Sequence, residues 1–291
     1  KNYLAIFAKS FNWAGFFLPK KTYEDCAKLY AFCRVLDDIA DEESNLDSKI
    51  EKFNKIKNFF KNTYDFNNKE IDSLNENETI INDVVSLAEN NKIKRIILDD
   101  LIDGVSSDLK KRIHFRSVKD LLIYSYRVAG TVGLMMSKIL KVNSKEALRG
   151  AIDLGIAMQL TNIARDVCED KARNRQYINH NFSSIKEVIN VSKIFYNKSF
   201  YSISSIPLKS RFSVIVARRV YRKIGDYILK QKNIENYNNA GKIYVPIFGK
   251  IIQTFFSFFD FIKLLFVKEL SYESHANHNI LEEELNINER I

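Results

Sequence analysis

A chain of 291 residues, 46% of them hydrophobic, has enough apolar side chains for a substantial core, which excludes wholesale disorder. Only nine glycines and three widely spaced prolines (Pro19, Pro207, Pro246) interrupt it, and so few helix breakers point to an all-helical protein. The formal net charge of +9 would suit nucleic acid, an anionic membrane face or a diphosphate substrate, but the lysines are dispersed and match no nucleic-acid-binding module, which sets nucleic acid aside.

In chain order the pattern is one helix after another, with no strand alternation. Thr22 with Asp25 resembles a helix start, leading to about Asp41. Helical runs follow near 48–64, 79–90 and 92–103, with an Asn-, Asp- and Glu-rich loop over 65–79. Ser117 is expected to cap a helix reaching about Lys141, and Ser144 one reaching Asp170. Ser184 with Glu187 has the spacing of a capping box before a run to about Tyr201. Pro207 stands where a helix to about Lys232 begins, and a last apolar run extends from about Tyr244 to Leu270. No repeat and no Gly/Ser- or Pro-rich linker divides residues 1–270, which are expected to form one domain. The tail 271–291 is polar and acidic and is expected to fray. Cys26, Cys33 and Cys168 fall in helical stretches with no CxxC pair and no secretory leader, which fits a reduced, cytoplasmic compartment.

Two segments carry the chemistry. In Tyr30-Ala-Phe-Cys-Arg34-Val-Leu-Asp37-Asp38-Ile-Ala-Asp41-Glu42, helical spacing puts Tyr30, Arg34, Asp37 and Asp41 on one stripe, flanked by small and apolar residues. In Gln159-Leu-Thr-Asn162-Ile-Ala-Arg165-Asp166-Val-Cys-Glu169-Asp170, Asn162, Asp166 and Asp170 recur every fourth residue, with Gln159 one turn earlier. Two facing rows of oxygen ligands suit hard cations that also bind phosphate oxygens. The four histidines (His114, His180, His275, His278) are scattered and argue against a zinc centre. A lone DxxxD on a helix is ordinarily a solvated face, and Asp99-Asp100-Leu-Ile-Asp103 is a further DDxxD that lacks the upstream Tyr and Arg. The pairing of Asp37/Asp41 with Asn162/Asp166/Asp170 is the specific signal.

At these residues the chain resembles the squalene and phytoene synthase family over nearly its whole length, and its bacterial phytoene synthase branch in particular. Lys9-Ser10-Phe11 with Leu18-Pro19 resembles the N-terminal substrate segment, and Leu29 through Asp41 the first aspartate-rich motif. Tyr124-Ser-Tyr126-Arg-Val-Ala-Gly130-Thr-Val-Gly133 matches the central motif. Gln159 through Asp170, then Arg173, Arg175 and Tyr177, match the second aspartate-rich motif, and Val220-Tyr221-Arg222-Lys-Ile-Gly225 the bacterial branch. The family's basic segment after Gly225 is replaced here by Asn236-Tyr-Asn-Asn239 before Ala240-Gly241-Lys242, which weakens any ligand contact inferred there.

The resemblance implies a single-domain, all-α helical bundle of the isoprenoid synthase type with a deep central cavity. It implies Mg²⁺ (or Mn²⁺) as cofactor, several ions bridging diphosphate, held by Asp37, Asp41, Asn162, Asp166 and Asp170. It implies catalytic roles for Tyr30, Arg34, Asp37, Asp41, Tyr124, Arg165 and Asp166. Lys9, Ser10, Phe11, Tyr30, Arg34, Tyr126, Gln159, Arg165, Arg175 and Tyr177 would contact substrate. The implied reaction joins two geranylgeranyl diphosphates through a cyclopropyl diphosphate to phytoene. Squalene or dehydrosqualene synthesis from C15 substrates uses the same metal logic and is the main alternative. A single-substrate terpene cyclase disagrees with the central-motif match, and a non-catalytic membrane-associated binding protein disagrees with the complete ligand set. Phe7, Phe11, Tyr30, Tyr124 and Tyr126 are candidate cation-stabilising rings, with ordinary packing as the competing role. Gly130 and Gly133, unfavourable inside a helix, imply close approach of a helix or ligand. The aromatic run 247–267, interrupted by Lys250, Asp260 and Lys263, reads as a closing bundle helix that could touch a bilayer surface rather than cross it. Prenyl chain length and oligomeric state have no sequence signal.

Overall fold

The computed structural model describes residues 9–66, 76–109, 113–115, 117–267, 272 and 274–291. Phe7 lies outside the described residues, as do most of the expected 65–79 loop and the side chains of Lys9 and Ser10. The elements in chain order are α1 (Lys9–Gly15), α2 (Lys20–Asp41), α3 (Leu46–Phe66), α4 (Glu76–Asn90), α5 (Arg95–Ser106), a 3₁₀ turn (Ser107–Leu109) and β1 (Ile113–His114). Then come α6 (Val118–Ser125), a wide π turn (Tyr126–Gly130), α7 (Thr131–Ile139), α8 (Lys145–Arg165), α9 (Val167–Ala172) and β2 (Arg175–Gln176). The chain continues as α10 (Phe182–Lys198), a 3₁₀ turn (Tyr201–Ser205), α11 (Leu208–Leu229), α12 (Ile234–Asn239), α13 (Ile247–Leu265), α14 (Ala276–Leu285) and α15 (Ile287–Arg290).

The bundle is organised around α8, which packs against α6, the π turn, α7, α10 and α11. Residues from Ala147 to Ala164 are buried on nearly every side of it, as expected of a helix with no solvent stripe. Small residues set its closest crossing. A Cβ on Gly133 would fall 2.3 Å from the Ala151 carbonyl oxygen, and one on Gly155 would fall 2.2 Å from that of Ala129. Close helix approach is therefore the reason for Gly133. On the opposite wall α2 buries Leu29, Phe32, Val35 and Leu36 and packs against α3, α4, α5 and α7.

Several local expectations need adjustment. The helix α2 begins after Pro19 at Lys20, slightly ahead of Thr22. Ser117 and Ser144 cap as expected, accepting from the Asp120 and Ala147 amides. The helix after Ser117 is not uniform, however, because it widens into the π turn at Tyr126–Gly130, a feature that recurs at functional sites. Helix α10 is capped by Asn181, which accepts from the Ser184 amide at 2.8 Å, so Ser184 lies inside the helix. The expected helix from Ser144 to Asp170 breaks at Asp166 (φ −104°, ψ 14°). The break is shallow, since the Asp166 amide still donates to the Asn162 carbonyl and the Asp170 amide to the Asp166 carbonyl, both at 2.9 Å. A two-residue parallel ribbon, Ile113 against Arg175 and His114 against Gln176, is too short to register as alternation in sequence.

Residues 274–291 of the C-terminal tail are docked rather than frayed. Within α14 and α15, joined through Asn286 in the left-handed region (φ 45°), Leu281, Leu285 and Ile287 are buried, as is the terminal Ile291. Arg290 donates to both carboxylate oxygens of Asp100 at 2.6 and 3.2 Å, and Lys94 holds the Glu289 and Ile291 carbonyls. The acidic composition hid an apolar face at helical spacing. The same contacts account for the extra DDxxD: Asp100 is buried and accepts from Tyr126 and Arg290, Asp99 lies 3.6 Å from Arg95, and Asp103 pairs with Lys57.

Candidate active site

Between α2 and α8 lies a cavity of about 380 Å³. On α2 its wall is built by Tyr23, Cys26, Tyr30, Cys33 and Asp37, a stripe at three- and four-residue spacing that spans about 21 Å at 1.5 Å per residue. On α8 the lining runs from Ala147 to Asn162, about 22 Å by the same rise. Polar groups gather where these two helices approach their C-terminal ends: Asp37, Gln159 and Asn162, joined by Asp108 from the 3₁₀ turn and Tyr124 from α6. Much of the remaining wall is apolar, including Leu101, Val105, Val132, Met136 and Leu140.

The acidic end is electrostatically uncomfortable. Burial pushes the Asp37 carboxyl up to about 7 against the pull of Arg34, and Asp41 and Asp108 push the same way. Burial likewise raises Asp170 to about 7, with Asp166 adding to it and Arg175 opposing. Asp108 is raised by burial, opposed by Arg175 and by the Tyr124 and Tyr177 hydroxyls. Basic groups offset part of this repulsion. Asp41 accepts from Arg173 and Arg175, each at 2.8 Å. Asp166 accepts a two-pronged bond from Arg165 at 2.8 and 2.6 Å, with Lys242 at 3.4 Å. Arg34 turns to Asp38. Among the described residues, Asp37 and Asp170 make no ion pair.

Most of the expected site residues fall into three groups. Phe11, Tyr30, Asp37, Tyr124, Gln159 and Asn162 share the main cavity. Asp170, Arg175 and Tyr177 line an adjoining pocket of about 250 Å³. The two are linked by Tyr124 and Tyr177, whose rings stack at 4.8 Å and whose hydroxyls donate to opposite oxygens of Asp108, each at 2.8 Å. Asp41, Arg165 and Asp166 stand in the ion pairs beside them. Tyr126 belongs to neither pocket: it is fully buried and its hydroxyl donates to Asp100 at 3.0 Å.

Sequence reasoning missed Asp108, Phe115 and Tyr244, and it quoted Tyr221 only as part of a motif, with no role in the site. Asp108 follows a helix end with no periodic partner, so only the fold unites it with Tyr124 and Tyr177. Phe115 packs on both of those rings at 5.3 Å. Tyr221 lines the cavity against Phe11, and Tyr244 lies 5.8 Å from the Arg165 guanidinium. Lys242, from the segment that departs from the expected basic pattern, reaches Glu169 at 2.6 Å and so brings a cation to the second motif after all.

The donor set suits hard cations. It consists of oxygens, and the Asn162 Oδ1 is buried with no hydrogen-bond partner among the described residues. No three of these mouth carboxylates bring their oxygens within 4.8 Å of one another. That spread fits ions taking one or two protein oxygens each and completing their shells from water and phosphate.

An all-α bundle with a largely apolar cavity, acidic at one end and flanked there by paired arginines, suits an enzyme for apolar chains bearing an anionic head. The squalene/phytoene synthase family profile matches residues 6–182. The chain is 29% identical over 248 residues to the 15-cis-phytoene synthase of a Paracoccus species, covering 77% of this chain and 79% of the relative. It is 27% identical over 251 residues to that of Pantoea ananas, covering 76% and 79%. A dehydrosqualene synthase crystal structure superposes with a TM-score of 0.72 at 23% identity, covering 89% of this chain and 94% of the other. A squalene synthase structure from Alicyclobacillus acidocaldarius superposes at 0.66 and 16% identity, covering 78% and 90%. The chain belongs to the squalene/phytoene synthase family.

Proposed function

We propose that this chain is a prenyl transferase that joins two C20 prenyl diphosphates head to head to give phytoene, a step of carotenoid synthesis. The observation that carries the proposal is the cavity, polar at one end and walled along about 21 Å of α2. With C–C bonds near ~1.5 Å, an extended C20 chain needs about 20 Å and a C15 chain about 15 Å, so the wall accommodates the longer substrate. The names of the Paracoccus and Pantoea relatives support the same choice.

Asp37, Asp41, Asn162, Asp166 and Asp170 are the residues that would hold Mg²⁺ (or Mn²⁺), as several ions. Such ions, when bound, neutralise the diphosphate as its C–O bond ionises. Arg34, Arg165 and Arg175 orient the anionic heads, while Lys9, Ser10, Phe11, Tyr30, Gln159 and Tyr177 complete the substrate contacts. The double bond of the second substrate captures the allylic cation of the first, and proton loss closes a cyclopropyl diphosphate. This ionises in turn, rearranges and loses a second proton. Tyr124 and Asp108 both line the cavity, so a released proton can pass through the Tyr124 hydroxyl to Asp108 Oδ2. The apolar wall keeps water from the cations. Squalene or dehydrosqualene synthesis from C15 substrates is the second reading, and the likeness of fold to a dehydrosqualene synthase favours it.

A peripheral contact with lipid, from which such substrates would come, is part of the proposal. No helix among the described residues is long and apolar enough to cross a bilayer. Helix α13 nevertheless exposes Phe248, Phe255, Phe258 and Phe259, with Phe266 just beyond it. It is tied to the cavity wall by a Trp13–Thr254 hydrogen bond of 3.0 Å and to α11 by the Arg219–Asp260 pair at 2.6 Å. The proposed role of that face is peripheral contact with lipid.

Diphosphate release by purified protein supplied with geranylgeranyl diphosphate and Mg²⁺ tests the activity. Release should cease with a chelator and in Asp37→Ala. Release that persists in both would remove the acidic end from the chemistry.

A further inference from the structure

Far along α8 from the acidic end, the structure builds a second cluster of ligating side chains. Asp153 is fully buried, as is His278 from α14, and the His275 side chain is 10% exposed. One ligand atom from each lies within 4.8 Å of the other two. Asp153 Oδ1 meets His278 Nδ1 at 2.9 Å, Oδ2 stands 3.8 Å from His275 Nε2, and the Tyr272 hydroxyl donates to Oδ2 at 2.6 Å. Asp153 is absent from the cavity lining and has no part in the chemistry above.

The cluster is under-satisfied as it stands. His275 Nδ1 and Nε2 and His278 Nε2 are buried without hydrogen-bond partners among the described residues. A neutral imidazole needs a donor for one nitrogen and an acceptor for the other, and burial without them is unfavourable. A buried carboxylate faced by His278 Nδ1 on one oxygen and by the unpartnered His275 Nε2 on the other is a donor set for a borderline cation.

We propose that Asp153, His275 and His278 bind Zn²⁺, with the Tyr272 oxygen or a water as fourth ligand, and that the ion staples the C-terminal segment to α8. Two imidazoles and a carboxylate are ordinary zinc ligands, and nitrogen donors select zinc over the magnesium that suits the acidic end. Tetrahedral bonds of about 2.0–2.1 Å place ligand atoms about 3.3 Å apart, so on binding the 3.8 Å His275–Asp153 separation would close by about 0.5 Å and the 2.9 Å His278–Asp153 contact would open by about 0.4 Å. An outer shell exists: Glu282 Oε1 lies 3.6 Å from His278 Nε2 and is held by Arg149 at 3.1 Å, and Phe195 packs edge-on against the His275 ring at 4.6 Å. The staple reinforces a segment already docked by Arg290 on Asp100 and by Arg149 on Asn288.

The test uses full-length protein without a histidine tag, stripped with a chelator, gel-filtered, and titrated with Zn²⁺ alone in excess Mg²⁺ against a chromogenic chelator. Wild type should bind about one equivalent and gain several degrees in melting temperature on loading. X-ray absorption at the zinc edge of the loaded protein should report two imidazole ligands. His275→Gln, the least buried ligand and the one whose replacement disturbs the core least, should weaken binding at least about tenfold. Asp37→Ala should bind zinc as wild type does, since its acid lies at the other site. Failure of wild type to retain zinc, unaltered binding by His275→Gln, an absorption spectrum without imidazole, or loss of zinc in Asp37→Ala would each overturn the proposal.

Discussion

Replacing Asp170 by Asn should stabilise the protein in the absence of ligands while disabling it. Burial and the neighbouring Asp166 raise the native carboxyl from the ordinary 3.8 to about 7. Because the folded state holds this proton more tightly than the unfolded chain, ionising Asp170 costs stability. The cost is absent below the unfolded value of 3.8, grows as pH rises towards about 7, and is constant above it. At about 1.36 kcal/mol per pH unit the ceiling is about 4 kcal/mol, and partial solvation at the mouth reduces it to about 2 kcal/mol. For a chain of this size that is roughly 4–8 °C in melting temperature. Thermal melts of ligand-free wild type and Asp170→Asn should therefore differ by that amount at pH 8, with the variant higher, and converge towards pH 4. Turnover with Mg²⁺ should fall at least about a hundredfold. A variant less stable than wild type at pH 8, or a difference independent of pH, would refute the electrostatic reasoning.

Asp99→Asn should leave stability and turnover near wild type, whereas Asp100→Asn, which disturbs the Tyr126 and Arg290 bonds, should lower the melting temperature by several degrees; equal effects in melts of the two would contradict their assignment. Mg²⁺ together with a non-hydrolysable prenyl diphosphate should raise the melting temperature by several degrees, more than Mg²⁺ alone, since a hundredfold excess over Kd is worth about 2.7 kcal/mol. Asp166→Ala should lose most of that shift, and an equal shift in both proteins would sink the shared site. Co-sedimentation with anionic vesicles should fall several-fold in a Phe255→Ser, Phe259→Ser double variant that keeps its activity on detergent-dispersed substrate; undiminished sedimentation would remove α13 from the membrane contact.

The all-helical bundle was legible because breakers are few and the apolar spacing is helical throughout. The first acidic stripe was legible for the same reason, and Tyr30 and Asp37 share the cavity wall as their spacing implies. Three features were not. Asp108 joins Tyr124 and Tyr177 through contacts across 16 and 69 residues, which no local pattern records. The tail looked like solvent-exposed chain because most of its residues are polar or acidic, yet Leu281, Leu285 and Ile287 are buried where it docks. His275 and His278 are three residues apart, and their partner Asp153 is more than a hundred residues earlier, so histidines that looked scattered converge only in the folded chain. Tyr126 was placed with the substrate contacts by its neighbourhood in the sequence, but the turn of its helix directs it to Asp100.

The most direct measurement gives the purified protein equal amounts of geranylgeranyl and farnesyl diphosphate with Mg²⁺, and identifies the extracted hydrocarbon by mass spectrometry. A C40 hydrocarbon with the mass of phytoene, formed without a nicotinamide cofactor, is the expected product. A C30 hydrocarbon as the main product would contradict the C20 assignment, and a cyclised product of one substrate would contradict head-to-head condensation itself.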